Sequence, residues 1–279
     1  MTAASAFAGL HVPGRPFLLP NCWDVGSAVV LADAGSPALG TTSLGTTAAA
    51  GLPDGAGAGL ELTVALAAAL VRHLSVPVTV DLEGGYSDDP AEVADLAARL
   101  ADLGVAGINL EDGRPGGGLR AVEAHVAVLA AVTAAAPGLF VNARTDTWWL
   151  RVGPGPDRAA ETVRRLTAYR DAGAAGVFAP GLTDLAVTEH VATAVQAPLN
   201  VLWRPGVGLD DLGAAGVARV STGSALYRHA LAAAVATADA ARTGRVPATG
   251  AVDYAELQDR LGRHRAAGAG AQAPVTGRC

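Results

Sequence analysis

Short β-branched runs alternating eight times with Ala/Leu-rich stretches predict one α/β domain of the (β/α)8-barrel class. The length agrees: 279 residues is normal for one such barrel, which takes about 250. The composition agrees too: 51% of residues are apolar and only 16% charged, which suits a chain with a large buried core. An open doubly wound sheet would need a point where the strand order reverses, and nothing in the spacing marks one.

The strands are expected at 17–23, 38–43, 78–83, 107–112, 139–146, 176–181, 199–205 and 217–223. Apolar residues at helical spacing fall between them, as at 91–103, 121–135 and 157–172. Asp89-Pro90 starts one helix, with proline in its first turn. Gly104 and Gly173 follow the ends of two others. After the last strand, 224–243 reads as one helix and 253–264 as a shorter one. The barrel domain is expected over 1–265, and the Ala/Gly/Pro-rich stretch 266–279 as a flexible C-terminal tail.

Charge and composition exclude several function classes. Net charge is -6 with no basic run, so no nucleic-acid partner is expected. The basic residues are all arginine; with no lysine, Schiff-base aldolase chemistry is excluded. Two cysteines, Cys22 and the terminal Cys279, give no disulfide framework and fit a reducing, cytoplasmic setting. No apolar stretch reaches membrane-spanning length, and the N-terminus lacks a signal-peptide pattern.

Barrel active sites lie at the C-terminal ends of the strands. There the third strand carries Asp81 and Glu83, expected to point the same way because they are two residues apart. The fourth ends in Glu111 and Asp112, and the fifth in Asn142, Arg144 and Asp146. Crowded carboxylates need a cation or raised pKa values. Oxygen-only donors favour Mg2+, with Mn2+ as the alternative, and the six scattered histidines do not suggest zinc. The competing reading is that these acids cap helices or pair with arginines at loop starts.

An ordered set of motifs resembles the isocitrate lyase/phosphoenolpyruvate mutase superfamily. It comprises Leu19-Pro-Asn-Cys-Trp-Asp-Val-Gly-Ser27, Thr41-Thr-Ser43, Leu52-Pro-Asp-Gly55, Asp81-Leu-Glu-Gly-Gly-Tyr86, Asn109-Leu-Glu-Asp112, Asn142-Ala-Arg-Thr-Asp146, Pro198-Leu-Asn-Val-Leu202 and Arg219-Val-Ser-Thr-Gly223. The resemblance runs over about residues 15–245 and is closest to the broad, poorly characterised group of that superfamily. It implies a phosphoenolpyruvate mutase-like barrel whose eighth helix is exchanged between subunits, giving a homodimer or homotetramer. It implies Mg2+ held, partly through water, by Asp81, Glu83 and Glu111. It places Thr42, Ser43 and Leu44 on the substrate carboxylate, Asp54 near the reacting centre as a catalytic acid–base group, and Arg144 on the substrate. The implied reaction is lyase cleavage of a C–C bond next to a 2-oxo acid through a metal-bound enolate, on a small anionic oxo acid. C–P chemistry on a phosphonate is the alternative, and a non-catalytic binding barrel the third reading.

The motif set departs from the family at one loop. Isocitrate and methylisocitrate lyases carry a Lys-Lys-Cys-Gly-His-type loop after the fourth strand, and phosphonomutases carry polar gating residues there. Here it is Gly113-Arg-Pro-Gly-Gly-Gly118, without thiol, lysine or histidine. Its glycines suit a closing lid, with Arg114 or Arg120 reaching a substrate anion; a plain connection is the alternative. Cys22 reads as a small buried residue, and His125, on an expected helix, as a surface or packing residue. Trp148 and Trp149 read as pocket wall or packing. The Pro205–Gly208 and Ser221–Ser224 turns lie where many barrels bind phosphate, though turn chemistry alone accounts for them.

Overall fold

The computed structural model describes residues 2–55 and 57–271. Nine parallel strands form one sheet: β1 (Phe17–Leu19), β2 (Asn21–Cys22), β3 (Leu39–Thr41), β4 (Val78–Asp81), β5 (Gly107–Glu111), β6 (Phe140–Arg144), β7 (Gly176–Phe178), β8 (Leu199–Leu202) and β9 (Val217–Ser221). Each expected strand is present. The first is split at Pro20, which has no N–H to give to a ladder. β1 pairs with β9 and β2 with β3, so this one segment closes the ring and the nine pieces make an eight-stranded barrel.

The barrel helices are α2 (Val25–Asp33), α4 (Leu60–His73), α5 (Pro90–Asp102), α6 (Val122–Ala135), α7 (Gly155–Asp171), α8 (Leu185–Val195), α9 (Leu209–Ala214) and α10 (Ala225–Arg242). Asp24 caps α2 through a reciprocal box with Ser27, and Asp89 caps α5 by accepting from the Ala91 N–H. On α5, Val93, Ala97 and Leu100 recur at helical spacing and are fully buried against the sheet.

Two short helices have no counterpart in the sequence reading. α3 (Ser43–Ala49) follows β3 directly. α1 (Ala3–Gly9) lies at the start of the strands, where Phe7 meets Phe140 edge-on at 5.4 Å and His11 stacks on Phe140 at 4.0 Å. Both are too short for a periodic signal to stand out. The last helix, α11 (Tyr254–Ala271), packs on α2 and α4. It runs past 265, where the tail was expected to begin; residues 272–279 of that tail lie outside the described residues. α10 touches β2 but leaves Leu231 51% and Val235 72% exposed.

Two buried histidines make the fold acid-sensitive. Burial first, then Arg219, depresses His11 from 6.5 to about 3; burial depresses His125 to about 4. Below 6.5 the unfolded chain takes up protons that the native chain refuses. The stability is therefore whole above that pH and falls as pH drops toward these values, by roughly 1.4 kcal/mol per pH unit per histidine. Comparing thermal midpoints across this range should show a shallower acid slope for His125→Phe than for the wild type. Equal slopes would remove His125 as a cause.

Candidate active site

The C-terminal ends of β3 to β6 face one another across a cavity of about 650 Å3. Its lining includes Ser43, Asp54, Glu83, Glu111, Arg144 and Asp146. Asp81 lies at its edge, on the wall of an adjoining cavity that shares Ser43, Asp54 and Arg144.

Asp81 is fixed from β3. Its backbone N–H donates to Thr41 Oγ1 (2.9 Å), and its Oδ2 accepts from the Ser43 N–H (3.1 Å). Thr42 and Ser43 open α3, with Leu44 on the wall of the adjoining cavity. Gly45 is required for this packing, because a Cβ there would sit 2.8 Å from Thr42 Cγ2 and 2.9 Å from Trp23 Cβ.

Glu83 corrects the strand argument. β4 ends at Asp81, and Glu83 takes a left-handed backbone (φ 51), so the two-residue alternation does not orient it. A non-glycine residue there carries a conformational cost that its surroundings must offset. Burial, then Asp81 and Asp54, push Glu83 up to about 7. Its Oε1 is buried with no hydrogen-bond partner among the described residues. Asp54 is raised as well, by burial and by Asp81, against the pull of the Ser43 side chain.

Glu111 and Asp112 are neighbours with separate fates. Glu111 faces the cavity, and its Oε2 lies 2.6 Å from Arg144 Nη1. Burial pushes Glu111 up to about 8 in spite of that contact. Asp112 was expected among the site acids but is fully buried behind the wall. It accepts from Thr145 Oγ1 (2.8 Å), the Asp146 N–H (2.9 Å), Tyr169 OH (2.7 Å) and Arg165 Nη1 (3.1 Å). Only contacts from α7 and the turn after β6 reveal this role, so the sequence adjacency to Glu111 misleads.

Arg144 forks onto Asp146, Nε to Oδ1 at 2.6 Å and Nη2 to Oδ2 at 3.0 Å, while Nη1 holds Glu111. Asp146 is thus pinned from behind by Asp112 and in turn aims the guanidinium. Gly113 must be glycine, since a Cβ there would come 2.5 Å from Asp146 Oδ2. Beneath the acids runs a polar column. Asn142 Nδ2 and Arg219 Nη2 both donate to Asn109 Oδ1, and Arg219 Nε donates to Ser221 Oγ. Arg219 is fully buried, and desolvation depresses it to about 9.

The glycine loop leaves its arginines engaged. Both terminal nitrogens of Arg114 reach Asp88, at 2.8 and 2.7 Å. Arg120 Nη2 reaches Asp88 (2.9 Å) and the Ser87 carbonyl (3.0 Å), while its buried Nη1 has no partner among the described residues. The two side chains fasten this loop to the one after β4. Cys22 is buried, donates to the Gly40 carbonyl, and is pushed up to about 12 by desolvation, so it is no substitute for the absent lid acid. His125 is buried against Tyr169. Trp148 packs on the core, and Trp149, 58% exposed, lines both cavities.

Among the described residues, no three carboxylate, histidine or cysteine side chains already converge as a closed ligand cage. The carboxylates around the cavity, with the orphaned Glu83 Oε1, fit an ion that keeps much of its water, as Mg2+ does.

The phosphoenolpyruvate phosphomutase family model matches residues 7–242. An uncharacterised protein of Mycobacterium tuberculosis (strain ATCC 25618 / H37Rv) is 43% identical over 259 residues, covering 92% of this chain and 96% of its own. An oxaloacetate decarboxylase of Ectopseudomonas mendocina (strain ymp) is 32% identical over 255 residues, covering 86% of this chain and 84% of its own. A candidate phosphonomutase from Burkholderia cenocepacia J2315, known from its crystal structure, superposes with a TM-score of 0.82 at 38% identity, over 85% of this chain and 99% of its own.

Proposed function

The chain belongs to the phosphoenolpyruvate phosphomutase family, and from that premise we propose that it is a Mg2+-dependent carbon–carbon lyase or decarboxylase acting on a small 2-oxo or 2-hydroxy polycarboxylate. One observation carries the reading. Asp54, Asp81, Glu83 and Glu111 crowd the ends of neighbouring segments around Arg144, and burial raises Glu83 and Glu111 into the neutral range. Such a set needs protons or a cation to persist.

Asp81, Glu83 and Glu111 would hold Mg2+, which supplies positive charge where an oxyanion develops. Arg144 binds the substrate by charge-assisted hydrogen bonds, exchanging part of its hold on Glu111. Thr42, Ser43 and Leu44 receive the substrate carboxylate. Asp54, with its raised pKa, positions or deprotonates the reacting group, taking the hydroxyl proton of a 2-hydroxy acid as the C–C bond breaks. The 113–118 loop, fastened by Arg114 and Arg120, limits water over the cavity. Turnover of a panel of 2-oxo and 2-hydroxy acids, with Mg2+ and with chelator, tests this. Metal-dependent release of a 2-oxo acid is expected, and none across the panel would contradict it. The likeness to a candidate phosphonomutase favours a second reading, C–P chemistry, which the same assay on phosphonates separates by its products.

Protons and Mg2+ should compete for this site. Because Glu83 and Glu111 sit near 7 and 8, cation binding must expel protons. Affinity should rise as pH rises through that range, by about tenfold or more from about pH 6 to about pH 8. Calorimetric Mg2+ titration at both pH values would show it; equal affinities would contradict the assignment of these ligands.

A homo-oligomer is part of the proposal. The exposed Leu231 and Val235 on α10 support it, because apolar faces on long helices are ordinarily covered. Light scattering should give a dimer or tetramer, and a clean monomer would refute it. None of the helices among the described residues is long and apolar enough to cross a membrane.

A further inference from the structure

Arg219, on β9, is a buried charge without a counter-charge. Its side chain is fully buried, and no carboxylate lies within ion-pair distance of it among the described residues. Its partners are neutral. Nη2 donates to Asn109 Oδ1 (3.1 Å) and Nε to Ser221 Oγ (3.0 Å), while the guanidinium carbon stands 5.9 Å from the centre of the Phe7 ring. Nη1 is buried with no partner among the described residues. By contrast, Arg120, Arg144 and Arg165 are each tied to a carboxylate.

Packing does not explain this guanidinium. An unpaired charge in a low-dielectric interior is destabilising, and an apolar side chain of similar volume serves a core better. Nor do its neighbours depend on it. Asn109 Oδ1 also accepts from Asn142 Nδ2 (2.9 Å), and Ser221 Oγ also donates to Asn200 Oδ1 (3.0 Å). The strand register shows what lies near it. Asn109 pairs with Asp81 across β4 and β5, and it precedes Glu111 by two residues on β5, so these side chains share the inner face. Asn142 stands in the same relation to Arg144 on β6. The guanidinium therefore lies one layer beneath Glu111 and Arg144, across Asn109 from Asp81. Asp81 is the acid whose charge counters its desolvation. On its other side are the Phe7 ring and His11, which burial keeps neutral. With no ion pair to quench it, its field falls on the acid cluster.

We propose that Arg219 is a positioning residue: a fixed buried positive charge that weakens the acidic site's hold on Mg2+ and strengthens its hold on the anionic substrate head. The inference rests on the reading that the acidic cavity holds both. Carboxylates alone would bind the cation and repel a 2-oxo acid, and Arg144 is already shared between Glu111 and Asp146. A second cation, kept out of reach of every carboxylate, offsets that repulsion without being neutralised itself.

The test is calorimetric titration of the full-length protein near neutral pH, first with Mg2+ and then with oxalate at saturating Mg2+. Arg219→Met should bind Mg2+ about tenfold more tightly and oxalate about tenfold more weakly, the scale of one unit charge acting through a partly screened interior. Ser221→Ala removes a hydrogen bond from the same guanidinium and keeps its charge, so both affinities should stay within about twofold of wild type. The thermal midpoint of metal-free Arg219→Met should match or exceed that of the wild type, because an unpaired buried charge has been removed. Arg219→Gln serves if Arg219→Met folds poorly. Unchanged affinities, affinities that fall together, or equal shifts in Ser221→Ala would overturn the inference and leave the metal reading standing. Failure of both Arg219 variants to fold would make the residue structural and overturn it as well. No Mg2+ binding by the wild type would instead sink the metal reading, and the inference with it.

Discussion

Replacing Arg144 by alanine is expected to lower kcat/KM by about a thousandfold, the scale of losing a preorganised charged donor at a developing oxyanion. The geometry makes the loss larger than one contact. Arg144 is the shared counter-charge of Glu111 and Asp146, at 2.6 Å from each. Without it both buried carboxylates lose their partner and are driven further toward protonation. Arg144→Lys keeps a charge but cannot fork onto Asp146 while reaching Glu111, so it should recover only a small part of the activity. Steady-state kinetics on the best substrate of the panel, with thermal melts as a folding control, would check both variants. A folded Arg144→Ala protein within tenfold of wild type would remove Arg144 from the chemistry.

The largest stability loss should come from Asp112→Ala. Asp112 is fully buried and accepts four hydrogen bonds that join β5, the turn after β6 and α7. Alanine would leave Arg165 with Glu161 as its one carboxylate partner beside the Arg120 carbonyl, and Tyr169 OH without its carboxylate. Removing one member of a buried ion pair costs about 3–5 kcal/mol. For a chain of this size that lowers the thermal midpoint by roughly 10 °C. Asp112→Asn, which keeps acceptors at one oxygen, should lose less. Denaturation midpoints measure both, and an unchanged midpoint for Asp112→Ala would contradict this account of the wall.

The barrel could be read from the chain because its strands are short β-branched runs bounded by helices with their own caps. Val78–Asp81 and Phe140–Arg144 fall within the expected segments for that reason. The Pro20 break, the left-handed turn at Glu83 and the short α1 and α3 depend on long-range pairing or on one or two dihedral angles, which leave no periodic trace. Around the site, the segments that meet were legible but the division of labour was not. Glu111 and Asp112 look equivalent in sequence, yet strand geometry turns one to the cavity and the other to Arg165. Arg114 and Arg120 look free, yet Asp88 occupies both.

Oxalate is a planar dianion resembling the enolate of pyruvate, so its binding reports on the proposed site without knowledge of the substrate. Calorimetric titration of the wild type and of Asp81→Ala with oxalate, with and without Mg2+, tests the central claim most directly. The account predicts binding that requires both Mg2+ and Asp81. Metal-independent binding, no binding, or binding that survives Asp81→Ala would contradict it.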